Sequence, residues 1–298
     1  MSKKALCIGI NDYPGTQNDL SGCVNDATDW AAALAARGFA VTKLIDAQAT
    51  KAAMVAAMSS LISGAAKGDT VVVTYSGHGT WAPDKNGDEP DGRDEALCPW
   101  DIGSGKVLLD DEIGLIFANH AAGVRVLLIS DSCHSGSVTR GDDSDLDPGL
   151  PRARFLPPSV WMKAEDIPAP RVSRLPILSG LTRSGGDLLL AGCTDTQYSW
   201  DTSFKGRPNG AFTYYALKAL AALPAGASYA DWFKAITPAY LPTNQLPQNP
   251  QISAVAPPGP GKCSPDSRQP AWATRPVPAD SLYRRPGPSP GRPGHSPP

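Results

Sequence analysis

A thiol hydrolase needs a cysteine that forms a thiolate, a base within reach of it, and a backbone that leaves the sulfur accessible. Two stretches of this chain supply those residue types. Tyr75-Ser76-Gly77-His78-Gly79 closes one apolar run, and Ser130-Asp131-Ser132-Cys133-His134-Ser135-Gly136 closes another. The glycines around His78, and Gly136 after Cys133, permit tight turns and leave both reactive side chains uncrowded. Each signal alone is ordinary. A cysteine after a strand is most often a small buried hydrophobe, and Gly-His-Gly is often just a turn. Together, each at the end of an apolar run, they make His78 and Cys133 a candidate base and nucleophile. His134 adjoins the nucleophile but is given no part in the chemistry, because neighbouring side chains at a strand end diverge.

The elements that must bring these two ends together are readable as periodicities. Ala5–Ile10, Val71–Tyr75, Val124–Ile129 and Leu188–Ala191 are continuous apolar runs, the pattern of strands buried on both faces, and Ala40–Leu44 is a weaker fifth. Between them, apolar residues recur at helical spacing. Cys23, Ala27, Trp30 and Leu34 form one stripe with Gly38 as its stop; Met54, Met58, Leu61 and Ile62 form another after Thr50 as N-cap. Ile113, Ile116, Phe117 and His120 make a third. Phe212, Ala216, Leu220 and Leu223 suit a fourth helix, and Tyr229, Trp232, Phe233, Ile236 and Tyr240 a fifth. Strands alternating with helices predict an α/β fold, a mainly parallel central sheet with helices on both faces. In such sheets reactive groups collect where strands end.

Composition bounds the rest. With 41% hydrophobic residues among 298, the chain can bury a sizeable core, and length alone permits one large domain or two small ones. A net charge of −2 gives no basic field for nucleic acid or an anionic membrane. No apolar run approaches the roughly 18 residues of a bilayer span, and the apolar stretch after Lys3-Lys4 is too short for a secretory signal. Six cysteines without a CxxC pair read as reduced thiols, mostly in the core, and so as a cytoplasmic protein. Residues 137–185 lack any period and read as one long loop, functional or disordered. Residues 256–298, with 13 prolines, read as a disordered, partly polyproline-II tail. The expected organisation is a domain over 1–255, made of a large part to about 137, the loop, and a small part from about 186.

The two reactive stretches resemble the catalytic motifs of metacaspases and their bacterial caspase-like relatives. The resemblance extends to Gly22-Cys23-Val24-Asn25-Asp26-Ala27, to Asp91-Gly92-Arg93-Asp94-Glu95-Ala96-Leu97 and to Leu109-Asp110-Asp111-Glu112. Ala191-Gly192-Cys193-Thr194-Asp195 and Gly210-Ala211-Phe212-Thr213 are a weaker echo of that family's small subunit. The spacing from His78 to Cys133 also matches the interval of about 50 residues in the caspase signature.

This resemblance implies a caspase-like fold and a cysteine endopeptidase. Cys133 would attack the scissile carbonyl and His78 would protonate the leaving amine. Backbone N–H groups near Gly79 and Cys133 would hold the oxyanion. The family cuts after arginine or lysine, so Asp26 and Asp131 would line the primary pocket, with Cys23 and Ser76 completing its wall. On its own, Asp26 reads equally as a solvent-facing position of the first helix. No cofactor is needed for this chemistry, but calcium is implied as an activator held by Asp94, Asp110 and Asp111. Arg140 stands at the fourth ligand position, with Asp142 and Asp143 close by, and Asp110 and Asp111 read equally as helix-start acids. Asp84 to Glu95 half resembles a calcium-binding loop, with Glu89 where that loop needs glycine. Arg152 and Arg154 are among the basic residues of the loop at which such a peptidase would cut itself. Partners would be protein substrates with a basic residue at the cut, and a groove-bearing domain for the proline-rich tail. Two other readings stay open: a silent caspase-like scaffold, and another thiol hydrolase on the same fold.

Overall fold

Side chains that alternate along each strand settle on opposite faces of one sheet, and this divides the core in two. The structure is a computed structural model that describes residues 1–85, 87, 92–134, 151–167, 187–194 and 197–254. The 256–298 segment and the rest of the 137–185 loop lie outside the described residues. In chain order the elements are β1 (Lys3–Gly9), α1 (Cys23–Ala35), β2 (Ala40–Ile45), α2 (Lys51–Ser63), β3 (Thr70–Ser76) and β4 (Gly79–Pro83). Then come β5 (Arg93–Leu97), β6 (Leu108–Leu109), α3 (Asp110–Phe117), β7 (Arg125–Asp131), β8 (Arg152–Ala153) and β9 (Leu188–Ala191). The last are β10 (Trp200–Phe204), β11 (Arg207–Gly210), α4 (Ala211–Ala222), α5 (Tyr229–Ile236) and β12 (Gln251–Ala254).

The central sheet has six strands in the order β12-β9-β7-β3-β1-β2. All its neighbours are parallel except β12, which runs antiparallel to β9. Leu6, Ile8, Val71, Val73, Val126 and Leu128 face one core together with Met54, Met58 and Ile62 of α2 and Ile113 and Phe117 of α3. The alternate residues Ala5, Cys7, Val72, Leu127 and Ile129 face the other, with Trp30 and Leu34 of α1, Phe212 and Leu220 of α4, and Trp232 and Ile236 of α5. Both faces of the sheet are therefore covered, as the alternation of elements predicts.

The helix ends follow local chemistry. The Thr50 side chain accepts from Ala53 N and caps α2, and Ser228 and Asp231 form a reciprocal capping box on α5. Beyond α1, Gly38 takes a positive φ of 83° that lets Phe39 N return to Leu34 O. Two helices stop earlier than their stripes suggest: α3 ends at Phe117, before His120, and α5 at Ile236, before Tyr240.

Two small antiparallel sheets, β4-β5-β6 and β11-β10-β8, were not legible as strands, because their two- to five-residue segments are too short to carry a period. Part of the 137–185 loop is anchored. Residues 151–167 do not hang free: Leu156 is fully buried in the first core, Pro158 is buried, and β8 pairs with β10. Burial of Leu156 offsets the ordering entropy that otherwise leaves such a segment loose.

The two ends of interest lie side by side. Strands β3 and β7 are adjacent and parallel, with Ser76 opposite Asp131, so the chain leaves both at one edge of the sheet. At that edge Gly79 begins β4 and His78 and Cys133 stand on neighbouring exits. Trp232 anchors the opposite face; its ring is fully buried, edge-on to Trp30 at 6.0 Å, and its Nε1 donates to Ala216 O at 2.8 Å. Trp232→Ala is expected to lower stability by about 3–5 kcal/mol, read from the urea midpoint, with the unfolding slope unchanged.

Candidate active site

The turn after β3 is built around two tyrosines. Tyr13 Oη accepts from His78 N at 2.7 Å, and Tyr75 Oη donates to His78 O at 2.6 Å. A side chain at Gly77 would collide with both hydroxyls, which is why the turn carries glycine there. The His78 ring lies tilted over Tyr13, 4.9 Å between centroids. Its Nε2 donates to Asn18 O at 2.6 Å, a bond that fixes the tautomer and leaves Nδ1 as the basic nitrogen. That Nδ1 is buried without a hydrogen-bond partner among the described residues. Burial holds the His78 pKa down, to about 4, against the raising effect of the Asn18 carbonyl.

Cys133 sits two residues past the paired end of β7 and is fully buried. Its Sγ receives Ser199 N–H and lies 3.4 Å from Ser199 O. Cys193, arriving from the neighbouring β9, packs its thiol against Ser132 O at 3.7 Å and against Cys133. The hydrogen bond to Cys133, then burial, pushes the Cys193 thiol well up, so Cys193 stays a donor to its neighbour.

One backbone oxygen occupies the space between these groups. Arg154 O accepts from Gly79 N at 3.0 Å and from Cys133 N at 3.1 Å. Two convergent N–H donors at this range are the geometry that stabilises an oxyanion. Arg154 N in turn donates to Ser199 O at 2.9 Å. A side chain at Gly79 would overlap the Cys133 carbonyl, so only glycine lets the two donors converge.

The Arg154 side chain fills a pocket of three acids. Its Nη2 meets Asp26 Oδ2 at 2.7 Å and Asp201 Oδ1 at 2.9 Å, and its Nη1 meets Asp131 Oδ2 at 3.2 Å and Asp131 O at 3.1 Å. All four residues are essentially inaccessible to solvent. Each carboxylate is further pinned: Asp26 by Asn209 Nδ2 and Gly210 N, Asp131 by Ser199 Oγ and Thr213 N, Asp201 by Ser21 N and Gly22 N. Burial raises the Asp26 pKa, to about 7, with the Arg154 guanidinium opposing and Asp131 reinforcing the shift. Asp26 is thus no solvent-facing helix residue. Cys23 is fully buried beside the same charges, and Ser76 lies opposite Asp131 in the sheet register.

His134 is elsewhere, as its exclusion from the chemistry anticipates. Its Nδ1 lies 3.2 Å from Ala96 O and its Nε2 3.3 Å from Ser132 Oγ, and burial lowers its pKa to about 4. Asp94 lies on β5, and Asp110 and Asp111 open α3, where Glu112 rather than either aspartate reaches back to Leu109 N. Among the described residues no three His, Cys, Asp or Glu side chains gather to hold a metal ion. Asp142 and Asp143, near the expected fourth ligand position, lie outside the described residues.

Asp201, Ser199 and the docking of Arg154 escaped the sequence reading. Asp201 sits in a short polar strand, and only its position between Trp200 and Phe204 hinted at an inward-facing acid.

The model of the metacaspase, peptidase C14 domain matches residues 3–141. Metacaspase-1 of Mycosarcoma maydis is 30% identical over 288 residues, covering 86% of this chain and 71% of that protein. Metacaspase-1 of Cryptococcus neoformans var. neoformans is 31% identical over 290 residues, again 86% of this chain; the chain spans 63% of that relative's length. A crystal structure of a Geobacter sulfurreducens protein, 33% identical, superposes with a TM-score of 0.66 over 87% of this chain and 96% of its own. Caspase-1 from Spodoptera frugiperda, at 14% identity, shares the fold, with a TM-score of 0.51 over 86% of each chain. With relatives matched along most of their length and a caspase architecture beneath the reactive edge, this chain belongs to the metacaspase family of C14 peptidases.

Proposed function

We propose that the chain is a cysteine endopeptidase that hydrolyses peptide bonds after arginine or lysine. The observation that carries this reading is Arg154, which sits as a substrate would. Its guanidinium is among three carboxylates and its carbonyl oxygen is on two N–H donors beside Cys133. In the reaction, Cys133 Sγ attacks the carbonyl carbon after the basic residue. Charge developing on the oxygen is held by the N–H groups of Gly79 and Cys133. His78 Nδ1 takes the thiol proton and delivers it to the departing amine, and water then hydrolyses the thioester. Asp26, Asp131 and Asp201 select the basic side chain, because charge-assisted bonds offset its desolvation. With arginine, both Nη nitrogens are used at once; a lysine ammonium offers one point of contact.

The same placement supports the Arg154–Phe155 bond, rather than any bond after Arg152, as the point at which the chain would process itself. Arg152 extends outward, its Nη1 on Asp19 O at 3.0 Å. A cytoplasmic setting belongs to this proposal, supported by Cys7, Cys23, Cys98, Cys133 and Cys193 being free thiols. So do a partner for the proline-rich tail and calcium as an activator, which takes no part in the steps above. Chelation is expected to slow self-cleavage without altering which residue is cut after.

Fluorogenic peptides with arginine at the cut are expected to be hydrolysed and those with aspartate ignored, with Cys133→Ala as blank. Silence on both, with an unreactive Cys133, would favour a scaffold. Asp201→Asn should lower kcat/KM on the arginine peptide roughly 10- to 150-fold, the equivalent of about 1.5–3 kcal/mol for a bond to a charged group. Intact mass of the wild-type chain should show termini at Arg154 and Phe155, unchanged in Arg152→Ala and absent in Cys133→Ala.

Acid should weaken the pocket. Because the Asp26 pKa is raised, lowering the pH through about 7 adds a proton and removes one of the charges facing the substrate. KM for the arginine peptide is therefore expected to rise below that pH, and Asp26→Asn to flatten that limb at a uniformly higher KM.

A further inference from the structure

Both sides of the Arg154–Phe155 bond are held in place. On the acyl side, Arg154 is fixed by three carboxylates, by the two N–H donors on its carbonyl and by Ser199 O on its own N–H. On the amine side, Phe155 bridges Gly79, and Leu156 N donates to Gly79 O at 2.9 Å. The Leu156 side chain is fully buried in the main core, one residue from the reacting nitrogen. Pro158 is buried, Met162 N closes a turn on Pro158 O, and Trp161 Nε1 donates to Thr80 Oγ1 at 3.1 Å.

Cutting this bond would therefore not release its leaving group. In the acyl-enzyme Arg154 is tied to Cys133 by the thioester, while the new α-amine of Phe155 stays tethered through Leu156. Reactants held in place in this way reach effective concentrations far above those of free solutes, up to about 10⁵–10⁸ M when aligned. We propose that this amine returns to the thioester, so that the site remakes the Arg154–Phe155 bond as well as breaking it. Peptide-bond formation is then a second activity of the same residues, and the segment is a resident, reversible occupant of its own cleft. This inference rests on the peptidase reading above.

The chemistry balances without a further reactant. Forward, the Cys133 Sγ–Arg154 C bond forms, the C–N bond breaks and His78 hands its proton to the Phe155 nitrogen. In return the amine attacks the thioester carbonyl, the C–N bond forms, the C–S bond breaks, and the amine proton passes back to His78 as the thiolate departs. Water competes for the same thioester, and the resulting Arg154 carboxylate can re-enter by the reverse of that step.

The test is a time course of the full chain in H2(18)O, followed by intact mass after denaturation. The cut fraction is expected to level off short of completion, and the uncut chain to acquire heavy oxygen at the Arg154 carbonyl. Hydrolysis alone cannot place that label in an uncut chain. Leu156→Ala should lower the uncut fraction at the plateau by about tenfold or more. Trp161→Phe, which keeps the ring but removes its bond to Thr80, should shift it in the same direction. It also guards against a Leu156 variant that fails to fold. A chain that cuts to completion with no label in uncut molecules would overturn religation and leave the peptidase reading intact. So would a chain that hydrolyses arginine peptides yet never cuts itself. Loss of both self-cleavage and peptide hydrolysis would instead defeat the peptidase reading, and this inference with it.

Discussion

Three carboxylates buried around one guanidinium is the arrangement on which the rest of the site depends. Removing charges from water costs several kcal/mol for each ion, and mutual repulsion among Asp26, Asp131 and Asp201 adds to that. A cation that reaches all three offsets part of the cost, and Arg154 does so. Without it the pocket would have to take up protons or water. The raised Asp26 pKa shows that this tendency persists even with the guanidinium present. A pocket that would select basic side chains, as proposed, is thus costly to leave empty, and self-occupation is the arrangement that follows.

The carboxylates come from three separate places: the first turn of α1, the end of β7, and β10. Their shared cation therefore ties elements distant in the chain to one another. Asp201 accepts from the backbone ahead of α1, and Asp26 accepts from Gly210 at the end of β11. Under the proposed reading, specificity would rest on the same charges that hold these elements together. This explains why the pocket is rigid enough to orient a substrate, since each carboxylate is fixed by at least two other donors.

How much of this was visible in the residues depended on how far each signal reached along the chain. The strands of the central sheet were legible because they are buried on both faces and so read as unbroken apolar runs. His78 and Cys133 were legible because glycines and polar residues interrupt those runs abruptly. Asp26 and Asp131 came through resemblance to metacaspases; Asp131 also had a local signal, a carboxylate at a strand end two residues before Cys133, whereas nothing around Asp26 distinguished a pocket from a helix surface. Asp201 and the docking of Arg154 were missed for a physical reason: their environment is created by pairing between β8 and β10, which no local periodicity encodes. Leu156 had a faint signal in the apolar cluster Phe155, Leu156, Val160, Trp161 and Met162, diluted by the prolines and charges around it.

Gly79 grips the chain on both sides of the reacting bond. Its N–H holds the carbonyl of Arg154 and its own carbonyl holds the N–H of Leu156, while Cys133 forbids it a side chain. A single residue therefore acts as a caliper, spanning three consecutive residues that must be extended to meet it. A chain still wound in a helix, or locked in a folded core, presents those groups in the wrong directions however basic its sequence. In a peptidase of the proposed kind, such a site would read conformation before charge, and would take stretches of polypeptide already unwound.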